Sequence, residues 1–178
     1  MEDTHNEVFI VTSTVKIEEL KIIEEHMDQL SDLLVKVVDD GASIGYLPPL
    51  KLDEAKRYWE TLLKPEVILF VAKIDEEIVG SIQLHLCTKQ NGMHRGEIAK
   101  LMTLPTMRRN GIGRLLMHHV EERAKEQGIS LLVLDTREGD PSNHLYSSLG
   151  FGECGRIPNY AKSANGELHS TVIYYKLL

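Results

Sequence analysis

The sequence predicts an α/β (α+β) fold: a mixed, mostly antiparallel central sheet of about seven strands flanked by about four helices. Three observations carry this. Strand-like and helix-like apolar runs follow one another in the order β-α-α-β-β-β-α-β-α-β-β. Residues 67–74 and 78–88 flank Asp75-Glu76-Glu77, which reads as the tight turn of a hairpin. Leu131-Leu132-Val133-Leu134 follows a helix and does not alternate, as expected of a buried parallel strand. One parallel crossover is therefore expected in the middle of an antiparallel sheet.

Each element has its own signal. Residues 7–14 are rich in β-branched side chains and read as a first strand. Over 17–40 the spacing becomes helical, with Ile23, Met27, Leu30, Leu34 and Val37 on one face and Gly41 as the stop. Two glycines and two prolines in residues 41–49 break regular structure. A second helix is expected over 53–63, with Ala55, Tyr58, Trp59, Leu62 and Leu63 as its apolar stripe. After the hairpin, Lys89-Gln90-Asn91-Gly92 turns the chain into a central strand, 97–103. Ile112, Leu116, Val120 and Ala124 then mark one face of a helix that Gly128 ends. A short helix is expected over 143–149, closed by Gly150. Two last strands, 153–157 and 171–177, are separated by a polar loop, 158–170.

Length and composition fit one soluble domain spanning residues 1–178. The net charge of −7 argues against a nucleic-acid partner, which wants a basic face. No run of eighteen apolar residues is present, so no membrane span is expected. The acidic start, Met1-Glu2-Asp3-Thr4-His5, resembles neither a signal nor a transit peptide, and a cytoplasmic protein is expected. Cys87 and Cys154 are far apart and read as two core thiols of a reducing compartment. His118 and His119 are adjacent, so they leave a helix in different directions. No H-x-x-x-H or H-E-x-x-H occurs, and no metal is expected.

The chemical signal is the stretch Met107-Arg108-Arg109-Asn110-Gly111-Ile112-Gly113-Arg114, between a strand and an amphipathic helix. The first amides of a helix lack intrahelical acceptors and the helix dipole is positive there. Gly111 and Gly113 remove side chains that would hold a phosphate away, and three arginines add charge. Taken alone, such a stretch is also an ordinary turn with a solvated basic face. It is not a P-loop, because no G-x-x-x-x-G-K-[ST] string occurs. It is not a complete dinucleotide fingerprint either, because Leu116 stands where the third glycine belongs.

Arg108-x-x-Gly111-x-Gly113, with Pro105 three residues ahead, resembles the [QR]-x-x-G-x-[GA] signature of the GNAT acetyltransferases. Leu145-Tyr146-x-x-x-Gly150-Phe151 is similar to their second signature, and the order of elements agrees over almost the whole chain. Segments such as Gly41-Ala42-Ser43-Ile44-Gly45, Lys100-Leu101-Met102 and Leu134-Asp135-Thr136 resemble one group of that family, the tabtoxin-resistance acetyltransferases and their relatives. The resemblance implies the GNAT fold, with a splayed parallel strand pair at the cofactor site and acetyl-CoA (coenzyme A) as co-substrate. Its pyrophosphate would rest on the turn formed by Arg108, Arg109, Asn110, Gly111, Ile112, Gly113 and Arg114. Its pantetheine arm would bond the backbone of Leu101, Met102 and Thr103, where the strands ending near Thr103 and Asp135 part. Many members carry a cofactor-contacting Asn seven residues before the helix tyrosine. Here that position is Gly139, and Asn143 is the nearest substitute.

Acetyl transfer from a thioester to an amine needs a base, an oxyanion donor and an acid. Tyr146 is the candidate acid; the alternative is a core aromatic. Glu97 is the candidate base, acting through water, or else an exposed strand-end carboxylate. Asp135 ends the parallel strand, where open α/β sheets bind ligands; it could hold the substrate ammonium, share the base role or cap a loop. A backbone amide near Met102 is the candidate oxyanion donor. Ser43, Tyr46 and Tyr160 lie in the least regular segments and are the candidate substrate wall. The expected acceptor is the amine of a small molecule: a toxin, antibiotic or amino-acid-like metabolite. The protein is expected as a monomer or homodimer. A protein or peptide acceptor, or a non-catalytic acyl-CoA sensor, are the alternatives.

Overall fold

The computed structural model describes residues 14–178. Its strands are β1 (Lys16–Leu20), β2 (Val67–Ile74), β3 (Glu77–Leu86), β4 (Arg95–Thr103), β5 (Leu131–Arg137), β6 (Gly152–Lys162) and β7 (Leu168–Leu177). Its helices are α1 (Met27–Asp39), α2 (Leu52–Glu60), α3 (Ile112–Glu126) and α4 (Ser142–Ser148). The seven strands form one sheet in the order β1-β2-β3-β4-β5-β7-β6. Every neighbouring pair is antiparallel except β4 and β5.

Two cores flank the sheet. Ile68, Phe70 and Ala72 of β2 point to the side that α3 and α4 cover, with Ile112, Leu116, Val120 and Tyr146. Leu69 and Val71 point to the other side and meet Leu30, Leu34, Val37 and Trp59 of α1 and α2. Strand alternation sends neighbours to opposite faces, so a strand covered on both sides reads as one apolar run.

Two expectations are corrected. The helix expected over 17–40 begins only at Met27, after a 3-10 turn at Glu24–His26. Ile17 packs against the α3 side and Leu20 is buried on the α1–α2 side. An odd spacing of three puts side chains on opposite faces of a strand but on one face of a helix. The strand form buries both, and β2 supplies its hydrogen bonds. Of the strand expected at 7–14, residues 7–13 lie outside the described residues and Thr14 is in no regular element. The polar loop expected over 158–170 is mostly strand: β6 and β7 continue the hairpin and leave 163–167 as the turn. A register shift between Ile157 and Ala161 takes up the extra residues, including Pro158, which has no N–H to give a ladder.

Parallel pairing between β4 and β5 is short. It joins Arg95 to Leu131, Gly96 to Leu132 and Glu97 to Val133, and then stops. β5 stays paired with β7 to Arg137, and β4 stays paired with β3 to Thr103. The two central strands therefore diverge for the rest of their length.

Leu116 is fully buried between α3 and the sheet. Leu116→Ala is expected to lower unfolding free energy by about 2–5 kcal/mol in urea denaturation. A loss near zero would show that the α3 interface is not packed as described.

Candidate active site

The divergence opens a cleft of about 1310 Å³. β4 and β5 form its floor, the 40–45 loop one wall, and the N-terminal turn of α3 one end. Glu97, Leu101, Met102, Thr103, Asp135 and Tyr146 all line it. Within β4, Ser81 pairs with Met102 while Gln83 pairs with Ala99, so β4 carries one extra residue. That is a β-bulge, and Lys100 within it takes φ +52°.

Arg108, Arg109, Gly111, Ile112, Gly113 and Arg114 line the far end of the same cleft. Gly111 precedes α3 at φ +79°, a left-handed conformation that costs glycine little. The first intrahelical bond runs from Leu115 N–H to Gly111 O. The amides of Ile112, Gly113 and Arg114 precede it and have no acceptor among the described residues, an arrangement that suits an anion. A Cβ at Gly113 would come within 3.3 Å of Leu145 Cδ2, so glycine lets α3 and α4 approach there. Asn110 does not line the cleft; its Nδ2 donates to the carbonyls of Met107 and Arg108 and holds the turn.

The candidate acid and the carboxylates reach the cleft from opposite faces. Tyr146 packs with Phe151 and Tyr174 on the α3–α4 side and is 6 % exposed. Burial raises its phenol pKa, and Asp135 and Asp140 add to that rise, so the hydroxyl keeps its proton. The Glu97–Val133 register puts Glu97 and Asp135 together on the other face. Both are exposed, and Asp135 accepts a 2.8 Å hydrogen bond from Thr171 Oγ1. Glu97 stands opposite His85 across the β3–β4 ladder. Buried Gln83 links His85 Nε2 (3.0 Å) to the Tyr58 hydroxyl. Burial lowers the His85 pKa, which Glu97 partly opposes.

Ser43 and Tyr160 line the cleft. Tyr46 does not; it packs edge-on against Tyr58, 6.0 Å between centroids, behind Lys100. Asn143 also falls outside the lining. Its Nδ2 donates to the carbonyls of Arg137 and Asp140, and its Oδ1 accepts from the Tyr174 hydroxyl, so its whole amide is engaged in fixing α4. Two cleft residues carry no signal in the pattern. Lys100 reaches its place through a bulge, and Arg137 through contacts far along the chain. The Arg137 guanidinium bonds Asp140 Oδ1 (2.9 Å), Ser163 Oγ (2.9 Å) and Gly41 O (3.1 Å). It thereby joins the 40–45 loop, the start of α4 and the β6–β7 turn. Among the described residues no cluster of His, Cys, Asp or Glu could hold a metal ion, and no helix is long and apolar enough to cross a membrane.

Comparison with known proteins bears on this geometry. Residues 19–151 match the model of the acetyltransferase (GNAT) family. An uncharacterised N-acetyltransferase from the hisH–hisA intergenic region of Azospirillum brasilense is 34% identical over 69% of this chain and 74% of its own. An aminoalkylphosphonate N-acetyltransferase of Salmonella typhimurium is 39% identical over a shorter stretch, 42% of this chain and 49% of its own. The fold is similar to yncA of Salmonella typhimurium, an acetyltransferase structure solved with acetyl-CoA. That likeness has a TM-score of 0.77 at 16% identity, over 92% of this chain and 94% of that one.

Arg137→Ala removes one tie from each of three segments. Amide hydrogen exchange is expected to quicken at 40–45 and 161–167 and to stay unchanged in β2 and β3. Unchanged exchange in both loops would show that Arg137 does not hold them.

Proposed function

The chain belongs to the acetyltransferase (GNAT) family and is an N-acetyltransferase; from that premise we propose that it moves an acetyl group from acetyl-CoA directly to the amine of a small molecule, such as a toxin, an antibiotic or an amino-acid-like metabolite. The observation that carries this reading is the convergence of Tyr146, Glu97 and Asp135 on one cleft from opposite faces of the sheet. A relative that acts on an aminoalkylphosphonate supports a small acceptor. The resemblance of the 41–45 and 100–102 segments to the tabtoxin-resistance group points the same way.

Three features support acetyl-CoA as the donor. The orphan amides of Ile112, Gly113 and Arg114 suit a pyrophosphate, with Arg108 and Arg109 beside them. At Gly111 a Cβ would meet nothing within 4 Å, so space remains open in front of the turn. The edge of β4 at Leu101, Met102 and Thr103 has no β5 partner, so it suits an amide-bearing pantetheine arm. When bound, acetyl-CoA supplies an acyl group already activated as a thioester.

The chain's own groups then divide the work. Glu97 or Asp135 takes the proton from the acceptor ammonium, directly or through water. The other carboxylate holds that ammonium. A β4 amide near Met102 donates to the carbonyl oxygen under attack. The Tyr146 hydroxyl gives its proton to the departing sulfur. No covalent enzyme intermediate is needed, and Cys87 and Cys154 lie outside the cleft lining.

Thiol release from acetyl-CoA is expected only when an amine acceptor is present. Tyr146→Phe is expected to slow transfer by about 10²-fold or more while CoA affinity by calorimetry stays the same. Equal loss of both would make Tyr146 structural. The pH profile gives a separate check. Tyr146 is raised above the ordinary phenol value of about 10, so its acid form persists as pH climbs. Activity is expected to rise with pH as the amine deprotonates, and not to fall before about pH 10. A decline centred near pH ~9 would count against Tyr146 as the acid.

A further inference from the structure

Lys100 is a cation with an unusual setting. Strict alternation would send it to the α3 face, because Glu97 and Ala99 share the α1–α2 face with His85 and Gln83. The bulge turns it back to the α1–α2 face, where its Nζ donates to Ile44 O. The ammonium lies 5.6 Å from the Tyr46 ring centroid and 5.7 Å from that of Tyr58. Gly45 makes room for it, since a Cβ there would come within 3.2 Å of Nζ.

The arginines of the α3 turn lie at the far end of the cleft. Arg108 pairs with Asp40, Arg114 bonds Ser148, and Arg137 pairs with Asp140. Lys100 makes no carboxylate contact within 4.0 Å among the described residues, and an ammonium has three donors where one described carbonyl accepts. The carboxyl groups of Glu97 and Asp135 stand on the same face. On that face the cleft thus offers two carboxylates to a cation and an under-coordinated ammonium to an anion.

Resting on the proposed transfer to an amine in this cleft, we infer that the acceptor carries an oxyanion of its own, a carboxylate or phosphonate, which Lys100 receives while Glu97 and Asp135 face its ammonium. Burial lowers the Lys100 pKa and Asp135 only partly opposes this, so the charged form lacks solvation that a ligand anion would restore. A role confined to holding the 40–45 loop would need the Ile44 contact alone.

The test is thiol release by the wild-type protein with amino acids, their carboxamides and aminoalkylphosphonates of matched length. The oxyanion-bearing member is expected to exceed its carboxamide in kcat/KM by about tenfold or more, mainly through KM. The relative rates of carboxylate and phosphonate identify which oxyanion fits. Lys100→Met is expected to bring that ratio towards one, and Lys100→Arg to restore part of it. Carboxamides turned over as well as the acids would overturn the inference while leaving acetyl transfer to amines intact. So would an equal loss for acid and carboxamide in Lys100→Met. If no amine of any kind releases thiol, the transfer reading fails and this inference with it. Should Lys100→Met not fold, the wild-type ratio alone decides.

Discussion

After Glu97 meets Val133, β4 and β5 no longer hydrogen-bond each other, and the cleft exists because of that break. Unpaired backbone groups are costly unless water or a ligand satisfies them, at about 1–3 kcal/mol for each one buried. The fold keeps these groups in an open cleft and holds their strand firmly from behind. Gly80 and Ser81 of β3 pair with Thr103 and Met102. Contact there is close: a Cβ on Gly80 would lie 2.8 Å from Met102 O. Leu101 packs towards the α3 core and Met102 into the α1–α2 core. The edge is thus free on one side and fixed on three.

The same break joins the two faces of the sheet. Tyr146 belongs to the α3–α4 face and Glu97 and Asp135 to the other. A continuous sheet would keep them apart. Through the gap, the Tyr146 hydroxyl and the two carboxylates reach one cleft from opposite sides. That separation suits a reaction in which one proton leaves the incoming group and another reaches the departing one. It also lets burial act on Tyr146 alone, keeping its proton on, while the exposed carboxylates stay near water.

Much of this architecture is legible in the sequence, for definite reasons. The α3 helix and β2 show because their apolar spacing is long and regular. The parallel strand shows because it is buried on both faces. The turn at Gly111 shows because a left-handed residue before a helix favours glycine. The misreadings arise where local pattern and tertiary pairing compete. Residues 16–20 carry a pattern as compatible with a helix as with a strand, and the edge of β2 decides it. Pro158 looks like the start of a loop, yet a register shift carries β6 past it. Asn143 looks free to reach a ligand, yet the carbonyls of Arg137 and Asp140 and the Tyr174 hydroxyl take its amide.

The two ends of the cleft differ in how far sequence can describe them, and the difference is physical. The α3 end presents backbone amides, whose positions follow from a glycine turn and a helix, so a short local motif specifies it. The opposite end is a wall held by side chains from three distant places. Arg108 holds Asp40, Arg137 holds Gly41 O and Lys100 holds Ile44 O. None of these contacts is local: Arg108–Asp40 is an exposed ion pair, worth about 0–1 kcal/mol, and the other two are single part-buried hydrogen bonds to backbone carbonyls. Their effect is to position the 40–45 loop rather than to hold the fold together. A wall set by a few long-range contacts outside both cores alters with few substitutions. Within that wall the β4 bulge, a single extra residue, decides which side of the sheet Lys100 faces.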